Sequence, residues 1–99
     1  SWRTALIQVI SPNRFEVGQP LVFEIAGENY APQAEVLIGN VRAASVTWID
    51  EDTLHVEFAH TFPPGIYDLT VINPGGYQSI AHSAVQIGRI IYLPTIQKR

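Results

Sequence analysis

Residues 63–76 read Pro63-Pro64-Gly65-Ile66-Tyr67-Asp68-Leu69-Thr70-Val71-Ile72-Asn73-Pro74-Gly75-Gly76, and their pattern decides the fold class. Tyr67, Leu69 and Val71 alternate with Asp68 and Thr70, the period-2 signature of a half-buried strand. Pro63 and Pro64 offer no N–H to a ladder, so the strand starts after them. Asn73-Pro74-Gly75-Gly76 reverses the chain. Proline presets φ at the first central position, and the following glycine accepts the positive φ of a type II turn.

Working outward, the neighbouring segments read as strands packed around this one. Leu21, Phe23 and Ile25 alternate with Val22, Glu24 and Ala26; Leu54, Val56 and Phe58 alternate with His55, Glu57 and Ala59. Residues 4–10 form a β-branched run with blurred alternation, which predicts an edge strand that bends or bulges. Gly27-Glu28-Asn29-Tyr30 predicts a tight corner with Tyr30 tucked back under the sheet. In 34–38, Val36 and Ile38 face inward and Glu35 outward, and Gly39-Asn40 suits a type II′ hairpin turn. Residues 41–48 read as one further strand with Val46 and Trp48 facing in. Asp50-Glu51-Asp52 is a charged turn. Tyr77 to Ile87 supplies the last strand, with Val85 and Ile87 in the core. No segment shows helical periodicity. Short strands with regularly spaced turns predict an all-β, immunoglobulin-like two-sheet sandwich of about seven strands.

Composition narrows the function classes. The chain has 99 residues, 46% hydrophobic, enough for one domain with its own core. The formal charge of −3 gives no electrostatic reason to approach nucleic acid. The absence of cysteine removes disulfides, thiol chemistry and cysteine-based zinc sites. No apolar run reaches the ~20 residues a membrane helix needs, so no membrane insertion is expected. Ser1, rather than methionine, at the start points to a segment of a longer protein.

The candidate chemistry is thin. His55, His60 and His82 show no local ligand spacing, so no metal site is expected. Asp50-Glu51-Asp52 lacks the alternate ligand spacing and central glycine of a calcium loop. There is no Gly-x-Ser-x-Gly elbow, and a sandwich packed through its middle offers no cleft for paired carboxylates. The reading is therefore no enzyme, no catalytic residue and no cofactor. Trp2, Trp48, Tyr77 and Tyr92 are the aromatics that could stack on a sugar, with Trp48 assigned to the core by its alternation.

Residues 89–99 break the pattern. Ile90, Ile91, Tyr92, Leu93 and Ile96 are large and apolar although the sandwich is complete at Gly88. The division expected is a domain over 1–88 and a C-terminal extension over 89–99, an added edge strand or a tail docking on another domain. Trp2, Ile90, Tyr92, Leu93 and Ile96 form the expected interaction surface.

The order of signals resembles the IPT/TIG family of immunoglobulin-like domains. The matching pieces are Ile10-Ser11-Pro12, Gly18, Phe23-Glu24-Ile25-Ala26-Gly27-Glu28-Asn29-Tyr30, Ala34-Glu35-Val36-Leu37-Ile38-Gly39, Leu54-His55-Val56 and Gly65 through Gly76, together covering 7–87. The family commonly has a proline at the end of the strand occupied here by Phe58-Ala59-His60; here the prolines fall at 63 and 64, implying a longer loop. Ile91-Tyr92-Leu93-Pro94-Thr95-Ile96 resembles an ending seen on some bacterial exported proteins. The resemblance implies a non-catalytic module of a bacterial extracellular or cell-surface protein, serving spacing, adhesion or protein–protein interaction. Its partners would be neighbouring domains of the same chain or another protein. The alternative is a carbohydrate-binding or accessory module of a secreted carbohydrate-active enzyme. DNA binding, known among Rel-type relatives, is not carried over, because Arg3, Arg14, Arg42 and Arg89 are scattered.

Overall fold

A computed structural model of the chain describes residues 2–89. All regular structure in this span is β. The strands are β1 (Leu6–Ser11), β2 (Arg14–Phe15), β3 (Leu21–Glu28), β4 (Glu35–Ile38), β5 (Val41–Arg42), β6 (Ser45–Asp50), β7 (Thr53–Phe58), β8 (Gly65–Asn73) and β9 (Tyr77–Ile87). One sheet runs β1-β3-β7-β6 and the other β2-β9-β8-β4-β5. This is the layer order of an immunoglobulin-like sandwich: β1, β3, β7 and β6 stand as strands A, B, E and D, and β9, β8 and β4 as G, F and C. Two of the nine strands, β2 and β5, are only two residues long, and the expectation not met in detail is the continuity of residues 41–48.

The alternation in β3 and β7 explains the core directly. Leu21, Phe23 and Ile25 pair in register with Phe58, Val56 and Leu54, and all six are buried. Val36 and Ile38 of β4, Leu69 and Val71 of β8, and Val85 and Ile87 of β9 close over them from the other sheet. Each such side chain contributes about 1.5–3 kcal/mol by leaving water. At one end of the core an aromatic series joins the layers. Phe15 to Phe23, Phe23 to Phe58, Phe58 to Phe62 and Phe62 to Tyr67 have ring centroids 5.7, 6.0, 5.8 and 5.4 Å apart. Phe62, in the β7–β8 connection, carries no periodic signal and is buried all the same.

The turns follow their residue chemistry. Gly75 has φ +92° and the Gly76 N–H donates to the Asn73 carbonyl at 3.2 Å, the type II geometry expected. Gly39 has φ +58° between Ile38 and Val41, which pair across the hairpin. β1 is an edge strand with a bulge between Ile7 and Val9, as its blurred alternation predicts.

Residues 41–48 depart from the sequence reading. They are not one strand: β5 belongs to the five-stranded sheet and β6 to the other. The switch falls on two small residues. The Ala43 N–H donates to Val36 in β4 and the next, Ala44 N–H, to Glu57 in β7, so consecutive peptides bond to opposite layers. β2 is also absent from the sequence reading. It pairs in parallel with β9, Arg14 with Gln86 and Phe15 with Ile87, and two residues are too few to show a period.

Asn73, the last residue of β8, is the one buried polar residue in the described span. Its Oδ1 accepts the Ala31 N–H at 3.1 Å, and its Nδ2 donates to the Asn29 carbonyl at 2.8 Å and to the Arg3 carbonyl. One amide thus ties strand β8 to the β3–β4 corner and to the segment that leads into β1. Tyr30 beside it is fully buried, with its hydroxyl donating to the Leu6 carbonyl at 3.2 Å. Burial, and then the nearby Asp52 charge, push the Tyr30 phenol well above its usual range. Asn73→Ala strands these buried groups and is expected to cost about 2–3 kcal/mol in urea unfolding. Asn73→Asp should cost at least as much, because its second oxygen would face two carbonyls with no proton to donate.

Candidate functional site

Three places in the described span collect polar or exposed aromatic groups. The first is the end of the sandwich where the β3–β4, β6–β7 and β8–β9 connections meet around Asn73. Trp48 lies here. Its register partner Leu54 is fully buried, so the indole points to the inner face as expected, yet the residue is 38% exposed. The assignment of Trp48 to the core is thus corrected. β6 is the last strand of its sheet, and an edge residue has a covering neighbour on one side only. Its Nε1–H donates to the Tyr30 carbonyl at 2.8 Å, which fixes the plane of the ring. Tyr77 follows the β8–β9 turn. The Arg3 guanidinium sits 5.9 Å from its ring centroid, and Gly75 lies so close to the ring that a Cβ there would approach to 2.9 Å. Tyr77 is therefore already engaged by the protein's own groups.

The second place is the outer face of the five-stranded sheet. Between Tyr67 and Leu69 the β8–β9 register shifts, and Ser83 opposite takes φ +53°. Asp68 holds this bulge. Its Oδ1 accepts the Ser83 N–H at 2.8 Å and its Oδ2 lies 3.2 Å from His82 Nδ1. The Ser83 bond first, and His82 second, hold the Asp68 carboxyl below the usual carboxylate range. Among the described residues no serine hydroxyl is hydrogen-bonded to this pair; the Ser83 contact is through its backbone.

The third place is the outer face of the four-stranded sheet. His55 lies between Glu24, 3.7 Å from Nδ1, and Glu57, 3.5 Å from Nε2. The two carboxylates address opposite ring nitrogens, so they cannot converge with the imidazole on one cation. Among the described residues no three His, Asp or Glu side chains are grouped to hold a metal ion. His60 packs edge-on against Phe62, ring centroids 4.9 Å apart. Asp52 N–H donates to Asp50 Oδ1 at 2.8 Å, so part of the acidic turn caps itself.

Two concavities in the described span are open grooves on the surface. One, of about 600 Å³, is lined by Gln8, Gly27, Glu28, Glu51, Asp52 and their neighbours; another of the same volume lies among Arg14, Phe15, Val17 and Arg89. Neither enters the space between the sheets, which apolar side chains fill. Of the expected interaction surface, Trp2 is half-buried. Ile90, Tyr92, Leu93 and Ile96 lie outside the described residues, as does the C-terminal extension beyond Arg89. What the sequence reading missed is Trp48 at an edge and the Asp68–His82 pair. An Asp and a His fourteen positions apart come together only through the strand pairing of β8 with β9.

No family model matches the chain. No curated protein matches it either. Among solved structures the same fold occurs in a protein from Bacteroides thetaiotaomicron VPI-5482 proposed to be a phosphatase, with a TM-score of 0.62 at 18% identity over 86% of this chain. It occurs again in an auxiliary nutrient binding protein of the same organism, with a TM-score of 0.59 at 20% identity over 85% of this chain. The chain corresponds to 18% of the length of the first and 21% of the second. At that identity the likeness concerns the fold: an immunoglobulin-like sandwich present as a small part of much longer proteins.

Because Asp68 titrates lower in the folded chain than its ordinary value of about 3.9, its ionised form favours the fold. That contribution is complete above the unfolded value and fades as pH falls through the folded one. Urea midpoints measured from neutral to strongly acid pH should therefore drop more for the parent chain than for Asp68→Asn.

Proposed function

We propose that this chain is a non-catalytic module of the IPT/TIG type, belonging to a larger bacterial extracellular or cell-surface protein. Its work is spacing and contact with neighbouring domains or other proteins. The observation that carries this reading is the filled interior. The two sheets enclose a continuous apolar core, and the buried Asn73 has its amide fully bonded within the fold. A reaction needs a site that shields substrate from water and places groups around it; here the polar groups lie on open faces. Two further points support the reading. The layer order is that of an immunoglobulin-like sandwich, and the Bacteroides thetaiotaomicron proteins sharing the fold hold it as about a fifth of their length.

Glycan contact is the second reading, favoured by one observation: Trp48 is partly exposed with its ring plane fixed. The purified domain separates these readings. It should show no turnover of p-nitrophenyl phosphate above buffer and a blank glycan array. Turnover that disappears in His82→Ala would overturn the non-catalytic reading, and glycan binding lost in Trp48→Ala would select the second one.

A further inference from the structure

The two sheets end differently. The five-stranded sheet is bounded by two-residue strands, each carrying an arginine, Arg14 in β2 and Arg42 in β5. Short length and charge are the means by which edges are kept from pairing with other chains. The four-stranded sheet is bounded by β1 and β6, six residues each, with no lysine, arginine or proline in either. Among the described residues no strand pairs with their outward N–H and C=O groups, which are a template for a further strand.

The two long edges are not equivalent. β1 is interrupted near its middle by the bulge between Ile7 and Val9, and it also lies against β9 of the other layer. β6 pairs regularly with β7 from Ser45 to Trp48 and bulges only at Ile49. Among the described residues no strand lies beyond it. Val46 is half-buried and Trp48 38% exposed although their register partners Val56 and Leu54 are fully buried. The inner face of β6 is thus an apolar ledge lacking its neighbour, and Ile49 adds a further side chain, 52% exposed.

We propose that β6 is a homodimer edge, where two copies of the chain pair antiparallel about a two-fold axis through Thr47 to give a continuous eight-stranded sheet. The occupant follows from the register. Centring on Thr47 sets it opposite the second copy's Thr47 and sets Val46 opposite the second copy's Trp48. Threonine–threonine and aromatic–β-branched pairs are both favourable across strands. Val46 and Trp48 then cover one another on the inner face of both copies. Asp50 falls opposite Ala44, so no like charges meet along the new strand pair. The same strand therefore supplies both halves of a self-complementary contact, as an isologous interface requires. Strand addition of this kind gains its affinity from main-chain hydrogen bonds and its selectivity from alternate side chains.

This deepens the reading of the domain as an interaction module and rests on it. Sedimentation velocity of the purified chain at high micromolar concentration tests it, using Thr47→Lys and Thr47→Glu. The parent chain should dimerise, with amide exchange in 45–48 slowing as concentration rises. Either substitution places like charges on the two-fold axis and should raise the dimer dissociation constant by about tenfold or more. Mixing the two variants should restore the dimer, a result that simple unfolding of either could not give. Circular dichroism melting of each variant, unchanged from the parent at a concentration low enough to dissociate the parent dimer, confirms that the exposed site is tolerated. A parent chain that stays monomeric overturns the proposal. So does a dimer that survives both substitutions, or one lost in Val9→Lys instead, which would place the contact on β1. A monomer with no phosphate-ester turnover removes the self-pairing and leaves the non-catalytic reading standing. Turnover with an intact dimer does the reverse.

Discussion

The side-chain amide of Asn73 is the constraint on which the arrangement of this sandwich rests. Strand pairing holds each sheet together and apolar burial holds the sheets against each other, but neither fixes how the loops at one end are disposed. The Asn73 amide does so by bonding Ala31, Asn29 and Arg3 at once. Those three positions lie on the β3–β4 corner and on the segment leading into β1. Because the group is buried, each lost bond would leave a polar atom with no water to replace its partner. Tyr30 extends the same clamp through its hydroxyl to Leu6, and its own carbonyl holds the Trp48 indole. Gly27 completes it: a Cβ there would lie 1.9 Å from the Leu6 carbonyl oxygen, so only glycine lets β1 pass. The edge strands β1 and β6 are thereby both referred to one buried corner.

Much of this was legible in the sequence, for identifiable reasons. β3 and β7 are buried on one face only, so their alternation survives intact and gives both the strands and the core. The type II turn at Asn73-Pro74-Gly75-Gly76 is readable because proline and glycine each restrict φ at a defined position. Where the reading stopped, a property of the fold intervenes. Asn73 is a turn former in any local view, and only the meeting of residues 42 and 70 positions away makes it a buried clamp. The crossing between sheets at Ala43-Ala44 shows only as a change of phase, with Val41 and Ala43 half-buried before it and Val46 after it, and a strand as short as β5 gives too few residues for that change to be read as a break. Trp48 shows the limit most clearly. Period 2 correctly gives the direction of its side chain, and says nothing of whether the strand beside it exists.

The pair Asp68–His82 is a similar case on the surface. The register shift between β8 and β9 inserts extra residues into β9, and such a bulge needs its freed N–H groups bonded. Asp68 does this for Ser83 and orients His82 at the same time. The arrangement has the look of an acid–base pair, but its geometry is explained by the bulge. The carboxylate caps the unpaired amide, and the histidine lies over it on an open sheet face with side chains 75% and 48% exposed. At that exposure solvent screens the ion pair, so its contribution to stability is small.

A domain whose interior is solid can act on other molecules only through its faces, loops and edges. Among these the edges are the most selective, because they present main-chain donors and acceptors in fixed register. The chain treats its four edges unequally. The sheet containing β2 and β5 ends in stubs with arginines, while the sheet containing β1 and β6 ends in longer strands without lysine or arginine. Had the sequence only to avoid unwanted pairing, the same economical device would have served at all four. A bulge already protects the middle of β1, whereas in β6 the irregularity is displaced to Ile49, beyond the four residues that pair regularly with β7. The unprotected length thus falls on the strand that also carries Val46 and Trp48 on its inner face, half-covered and in the register that would cover them.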